Sequence, residues 1–216
     1  MIRGGPGNDI IHARFGVDIN VEGGTGADTM YSGDDGGDLY GGAGDDTLLG
    51  GKGVDLLYGE AGDDLIYGGS ELLLGVDQPG DLLLGGPGFD DIFGEGGDDT
   101  ILGDDPVAAL TDGADWVSGG TGADMIWGGG GPDVLYGDAG DDEIYSAFPD
   151  AAPGSTQDKA ADHMYGGTGS DAYGGFCTDL DVAHEETDPV ADIDSAYNVD
   201  GLLLFVSYFE VVQTCP

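Results

Sequence analysis

Basic residues are almost missing from this chain. Four Lys and Arg stand against 44 Asp and Glu in 216 residues, a formal net charge of −40. Binding nucleic acid through its phosphates takes clustered Lys and Arg, so no nucleic acid is expected as a partner. Anionic membranes are disfavoured on the same ground. No apolar run reaches the ~18 residues of a transmembrane helix, so no membrane span is expected. Met1-Ile2-Arg3 leads straight into a glycine-rich unit, which gives no N-terminal signal peptide. Cysteine is scarce: Cys177 and Cys215 lie near the C-terminus. A disulfide between them would suit an oxidising compartment and add about 3–4 kcal/mol in the chain-entropy model. Two unrelated buried thiols are the alternative. Catalytic signatures are missing too. There is no H-E-x-x-H and no G-x-S-x-G, and His12, His163 and His184 have no obvious nucleophile partner. Cys177 and His184 read better as a disulfide half and a surface residue, so no enzyme is expected.

Glycine is abundant, at 46 residues. That is about three times its usual share. It has no collagen period and recurs every nine residues. Residues 41–67 show the rule in three units laid end to end: GGAGDDTLL, GGKGVDLLY and GEAGDDLIY. Glycine holds the first and fourth places, aspartate the sixth, and Leu or Ile the eighth (Leu48, Leu57, Ile66). Early glycines let the backbone bend with positive φ at no steric cost. The last three residues run as a short strand whose side chains alternate, the eighth inward, the seventh and ninth outward. Each unit is thus a turn plus a strand. Such acidity alone would also suit a disordered solvating chain. Strictly phased apolar residues argue against that reading, and for a chain that repels itself without metal and orders with it.

The same unit recurs at Gly4–His12, at Gly23–Tyr31, in GGPGFDDIF and GEGGDDTIL, through Gly119–Tyr145, and in GGTGSDAYG. The second unit keeps Gly16 and Asp18 but has lost its leading glycines. The fourth, SGDDGGDLY, has Gly37 where the aspartate belongs and Asp38 one place late. Units eight, eleven and fifteen carry insertions, expected to emerge as loops from both sides of the stack. Counted through, there are about sixteen units in about eight coils. At about 4.8 Å per stacked strand, such a stack is roughly 35–40 Å long.

On these residues the chain resembles the RTX family, the hemolysin-type calcium-binding nonapeptide repeats, over roughly Gly4 to Gly174. The resemblance implies an all-β fold, a right-handed parallel β-roll or β-helix solenoid in which two units make one coil. It implies calcium between the turns of units i and i+2, held by the two sixth-place aspartates and turn carbonyls. Carried over residue by residue, the ligands are Asp9, Asp18, Asp28, Asp46, Asp55, Asp64, Asp81, Asp90, Asp99, Asp115, Asp124, Asp133, Asp142, Asp162 and Asp171, with carbonyls such as those of Gly41, Ala43, Gly59 and Ala61. A hard cation taking six to eight oxygens suits that set. Two aspartates bring −2 against +2, so roughly 12–14 Ca2+ ions would neutralise most of the repeat charge. Second-place acids (Glu60, Glu95, Asp138) and fifth-place acids (Asp45, Asp63, Asp98, Asp141) are expected in solvent or behind the ligands. The catalytic domains that often accompany such rolls have no counterpart here.

The inward ladder is expected to be Ile11, Met30, Leu48, Leu57, Ile66, Leu83, Ile92, Ile101, Val117, Ile126, Leu135, Ile144 and Met164, each contributing about 1.5–3 kcal/mol on burial. Ninth places hold Tyr31, Tyr40, Tyr58, Tyr67, Phe93, Trp127, Tyr136, Tyr145 and Tyr165, expected outward as aromatic ladders. They serve either as coil-to-coil stacking or as a contact face for another extracellular protein, a polysaccharide or a second copy of the chain. An ice-binding face would need a regular Thr and Asn array, which scattered Thr25, Thr121 and Thr168 do not make. Residues 4–174 are expected to form the roll. Residues 175–216, with apolar runs at Leu202–Val206 and Tyr208–Val212, are expected to form a small disulfide-linked β cap. The expected function is a calcium-folded structural or interaction module, secreted or at the cell surface. Many RTX proteins leave the cell through an uncleaved C-terminal signal. Alternatives are a subunit of a self-assembling extracellular fibre or surface layer, joined head to tail or laterally, and the non-catalytic module of a secreted hydrolase.

Overall fold

The computed structural model describes residues 1–13, 20–70, 79–106, 113–146 and 162–175, and beyond them four short strands at 182–184, 195–198, 203–204 and 211–212. Asp18, Cys177, Cys215 and the insertions of units eight, eleven and fifteen lie outside these residues. Every described element is a strand or a turn. Among the described residues, no helix is long and apolar enough to cross a membrane.

Strands alternate between two sheets. One sheet holds β1 (Ile2–Pro6), β3 (Asn20–Thr25), β5 (Asp38–Ala43), β7 (Leu56–Ala61), β9 (Pro79–Leu84), β11 (Asp98–Leu102), β13 (Met125–Trp127), β15 (Glu143–Tyr145) and β17 (Ala172–Gly175), followed by β19 (Ser195–Asn198) and β20 (Leu203–Leu204). The other holds β2 (Ile10–His12), β4 (Thr29–Tyr31), β6 (Thr47–Gly51), β8 (Leu65–Ser70), β10 (Asp91–Gly96), β12 (Trp116–Thr121), β14 (Val134–Ala139) and β16 (His163–Thr168), followed by β18 (Val182–His184) and β21 (Val211–Val212). Neighbours within a sheet pair in parallel, except that β20 and β21 each run antiparallel to their neighbour. The chain is therefore an all-β parallel β-roll, two units per coil.

Register follows the nonapeptide. Leu39 aligns with Leu57, and Leu48 with Ile66, one coil apart. The inward column of thirteen residues expected from the sequence is buried throughout, and it also takes Val21, Leu39 and Tyr173. Among the described residues, these eighth-place side chains, with Ala13 at one end, make up the core between the sheets. It carries no second layer, so the turns hold the other half of the structure.

Outward residues stack from coil to coil. On one sheet Tyr40 lies over Tyr58 at 5.0 Å between ring centroids, and Trp127 over Tyr145 at 5.5 Å. On the other, Tyr67, Phe93, Trp116, Tyr136 and Tyr165 form one continuous ladder at 4.6–5.4 Å. Trp116 is a seventh-place residue, level with Asp91 and Val134. It fills the gap left where Ser118 holds the ninth place. Ring faces in the near-parallel pairs are turned toward one another, interplanar angle 6–15°. The ladders are thus coil-to-coil stacking, worth about 0.5–1.5 kcal/mol per pair beyond burial.

Candidate metal centres

Each sixth-place aspartate ends a turn and opens a strand, and its backbone is pinned twice. The Asp46 carbonyl accepts the Leu65 amide of the next coil at 2.9 Å. The Asp46 amide donates to Oδ1 of Asp64 in that same coil at 2.7 Å. Repeated, this bond threads one edge of the roll through Asp9, Asp28, Asp46, Asp64, Asp90, Asp115, Asp133 and Asp162. The opposite edge runs from Gly37 through Asp55, Asp81, Asp99, Asp124 and Asp142 to Asp171. Aspartates of units i and i+2 are thereby brought together, as the resemblance implies.

One carboxylate oxygen is used in this way, and the other faces inward. Oδ2 of Asp9, Asp28, Asp46, Asp64, Asp90, Asp99, Asp124 and Asp142 is buried with no hydrogen-bond partner in the protein. An ionised carboxylate oxygen left so is costly. Backbone oxygens share the space. A Cβ placed on Gly41 would stand 2.5 Å from Asp46 Oδ2 and 2.6 Å from the Gly59 carbonyl. On Gly42 or Gly44 it would meet the carbonyls of Gly24 and Gly26 in the preceding coil, at 2.2 and 2.6 Å. Glycine is required at these turns because carbonyls and a carboxylate already fill the space a side chain would take.

The carbonyls that the sequence suggested are divided by this geometry. Those of Gly41 and Gly59 face the first-place glycine of the preceding coil. Those of Ala43 and Ala61 accept the fourth-place amides of Gly26 and Gly44 at 2.8 and 2.7 Å. Carbonyls at the second and fourth places also point across the gap between turns, and sequence reasoning missed them because a backbone donor leaves no mark on residue type.

Burial dominates the electrostatics. It pushes the Asp90 carboxyl up to about 9, and the charges of Asp115, Asp64 and Asp104 add to it. Asp124 rises to about 8, and Asp64 and Asp142 to about 7, again from burial first and neighbouring carboxylates after. Asp46, Asp55 and Asp99 rise to about 6. The metal-free turn therefore resists full ionisation, and a hard cation relieves it. No group of three or more His, Cys, Asp or Glu side chains able to hold a metal lies among the described residues. The donors here are two carboxylates with backbone carbonyls, all oxygen, as calcium prefers.

Family comparison agrees with the donor set. The model of the RTX calcium-binding nonapeptide repeat matches four copies, at residues 1–19, 40–71, 80–105 and 111–145, about half the chain. The chain belongs to the RTX calcium-binding nonapeptide repeat family. A search of curated proteins finds no match. RTX nonapeptide repeats bind Ca2+ ions in multiple turns, and this chain's turns carry the oxygens for it. The family's repeats are typically non-catalytic, and RTX repeat proteins are typically secreted.

Departures from the RTX pattern are local. In unit four Gly37 keeps the backbone bonds of the sixth place, donating to Asp55 Oδ1 at 2.7 Å, without supplying a carboxylate. Asp38 stands at the seventh place, level with Asn20 and Leu56. Ser32 replaces the first glycine of the same unit. Elsewhere a first-place Cβ would lie 2.2–2.8 Å from its own Asp Oδ2, so Ser32 and Gly37 are a matched pair of changes. The Ser32 hydroxyl comes close enough to Asp55 to oppose the rise of its carboxyl, but not in hydrogen-bond geometry. Fifth-place residues, expected in solvent, are exposed but not idle. Asp45, Asp63, Asp98 and Asp141 each accept a fifth-place amide of the next coil at 2.9–3.2 Å, as Asn8 does.

Proposed function

We propose that the two aspartate ladders are the calcium ligands of this chain, and that calcium folds it into a rigid module outside the cell. The observation that carries this is the row of buried, unpartnered Oδ2 atoms facing backbone carbonyls. Asp9, Asp28, Asp46, Asp64, Asp90, Asp115, Asp133 and Asp162 serve one edge. Asp55, Asp81, Asp99, Asp124, Asp142 and Asp171 serve the other, with Asp18 added from the sequence pattern. Roughly 12–14 ions would then load, about two carboxylates to each. At low cytosolic calcium the charge of −40 keeps the chain expanded and soluble. In extracellular calcium it becomes a rod, with residues 175–216 as its cap. Small-angle scattering with calcium and with chelator tests this. Compaction to a rod of about 40 Å on calcium alone supports the reading, and one profile in both conditions removes it.

A second reading is self-assembly. It is favoured by two outward rows of one sheet, Leu56–Leu82–Thr100–Met125 and Tyr58–Leu84–Leu102–Trp127, each running over four coils. Electron microscopy in calcium separates the readings: filaments or sheets support assembly, and monodisperse rods leave the module alone.

A further inference from the structure

At the first place of the unit, two oxygens always meet. A Cβ on Gly41, Gly59, Gly119 or Gly137 would lie 2.3–2.5 Å from Oδ2 of its own sixth-place aspartate. It would lie 2.6–2.9 Å from the first-place carbonyl of the next coil, on Gly59, Gly85, Gly137 and Gly166 in turn. Every other described first-place glycine up to Gly137 repeats this pair of a carboxylate and a backbone carbonyl. Gly166 does not. A Cβ there would lie 2.2 Å from Asp171 Oδ2 and 2.4 Å from the hydroxyl oxygen of Tyr173. A phenol oxygen stands where the other turns present a carbonyl.

Tyr173 reaches that point from the core. It holds the eighth place of its unit, level with Ile144, and is 4% exposed. The other buried eighth-place residues are Ile, Val, Leu and Met, which bring no oxygen. Asp171 is 1% exposed, and its Oδ1 accepts the Asp142 amide at 2.9 Å, the last bond of that edge's ladder.

We infer that the Tyr173 hydroxyl is a calcium ligand, the side-chain oxygen that completes the Asp171 turn in place of a backbone carbonyl. This rests on the reading of the aspartate ladders above. Calcium takes neutral oxygens beside its carboxylates, and a phenol has lone pairs to offer as a carbonyl does. Buried tyrosine also calls for a polar partner at its hydroxyl. An inward residue thereby serves the core with its ring and the metal with its tip, so the end of the core and the last turn of that edge are set by one side chain.

The test is equilibrium dialysis of the full chain, stripped of metal, against graded calcium chloride. Tyr173→Phe keeps the ring in the core and removes only the oxygen. Tyr145→Phe removes an outward hydroxyl one coil away, bonded to Glu143 at 3.1 Å, and is the control. Asp171→Asn and the double variant with Tyr173→Phe close a cycle. Tyr173→Phe should bind one ion at least tenfold more weakly than the native chain, and Tyr145→Phe should match the native chain. Asp171→Asn should weaken the same single ion, and the double variant should weaken no second one. Superimposed binding curves for the native chain and Tyr173→Phe would overturn the inference and leave Tyr173 as core filling. Tighter binding by Tyr173→Phe would also overturn it, because the hydroxyl would then be a cap on Asp171 that keeps calcium out. A native chain that takes up no calcium would overturn the ladder reading itself.

Discussion

The amide of Asp46 donates to Oδ1 of Asp64 across 2.7 Å, one coil further along the roll. Each ladder aspartate thus has two jobs, one per oxygen: Oδ1 ties two coils together and Oδ2 faces the turn. Side-chain chemistry and coil stacking are coupled through a single carboxylate, and several consequences can be measured.

Asp64→Ala removes the acceptor of the Asp46 amide and a buried carboxylate together. Leaving that donor unpaired costs about 1–3 kcal/mol. Melting in saturating calcium should fall markedly for Asp64→Ala and much less for Asp63→Ala, whose side chain is exposed. Equal losses would detach the ladder from stability.

Gly59→Ala tests the space at the first place. The new Cβ would lie 2.3 Å from Asp64 Oδ2 and 2.7 Å from the Gly85 carbonyl. One of them must move, at about 1–3 kcal/mol. The variant should need more calcium to fold. Gly96→Ala, whose nearest neighbour is Thr121 Oγ1 at 3.1 Å, should change the calcium midpoint little.

Acidity should stabilise the metal-free chain. Burial raises Asp46, Asp55 and Asp99 to about 6, Asp64 and Asp142 to about 7, Asp124 to about 8 and Asp90 to about 9. An unfolded Asp titrates near 3.9. The folded form binds more protons, so this stability is full below pH ~4 and is lost as pH rises through 6 to 9. In chelator, β-sheet circular dichroism should appear at pH 4 and vanish by pH 8. A signal that grows with pH in chelator would contradict the burial of these groups.

Glu60, Glu95 and Asp138 sit at positive φ, where glycine is the usual residue. That conformation costs an L-residue about 1–2 kcal/mol. Glu60→Gly and Glu95→Gly should each raise the melting temperature in calcium. A fall would show that these carboxylates contribute to the turn.

Trp116 stacks between Phe93 and Tyr136 at 5.0 and 5.4 Å. Trp116→Ala should cost about 1–3 kcal/mol from two ring contacts. Trp127→Ala removes one stack, on Tyr145, and should cost less. Chemical denaturation in calcium ranks them.

The roll and its core were legible because glycine, aspartate and a large apolar residue recur at fixed places, and that period dictates turn, buried carboxylate and inward strand position. Leu48, Leu57 and Ile66 could be placed on that ground alone. The division of labour between Oδ1 and Oδ2 was not legible, because it depends on the separation of neighbouring coils. Trp116 was missed because it reaches the aromatic row from the seventh place. The matched exchange at Ser32 and Gly37 was not legible, because the space the two positions share exists only in the folded turn.

The most direct measurement is a calcium titration of the full chain at pH 7.5, followed by circular dichroism and reversed with chelator. The account predicts a cooperative gain of β-sheet signal as calcium is added and its complete loss on chelation. A chain already folded in chelator at that pH, and unchanged by calcium, would contradict it. The aspartate ladders would then be turn formers held by their own hydrogen bonds.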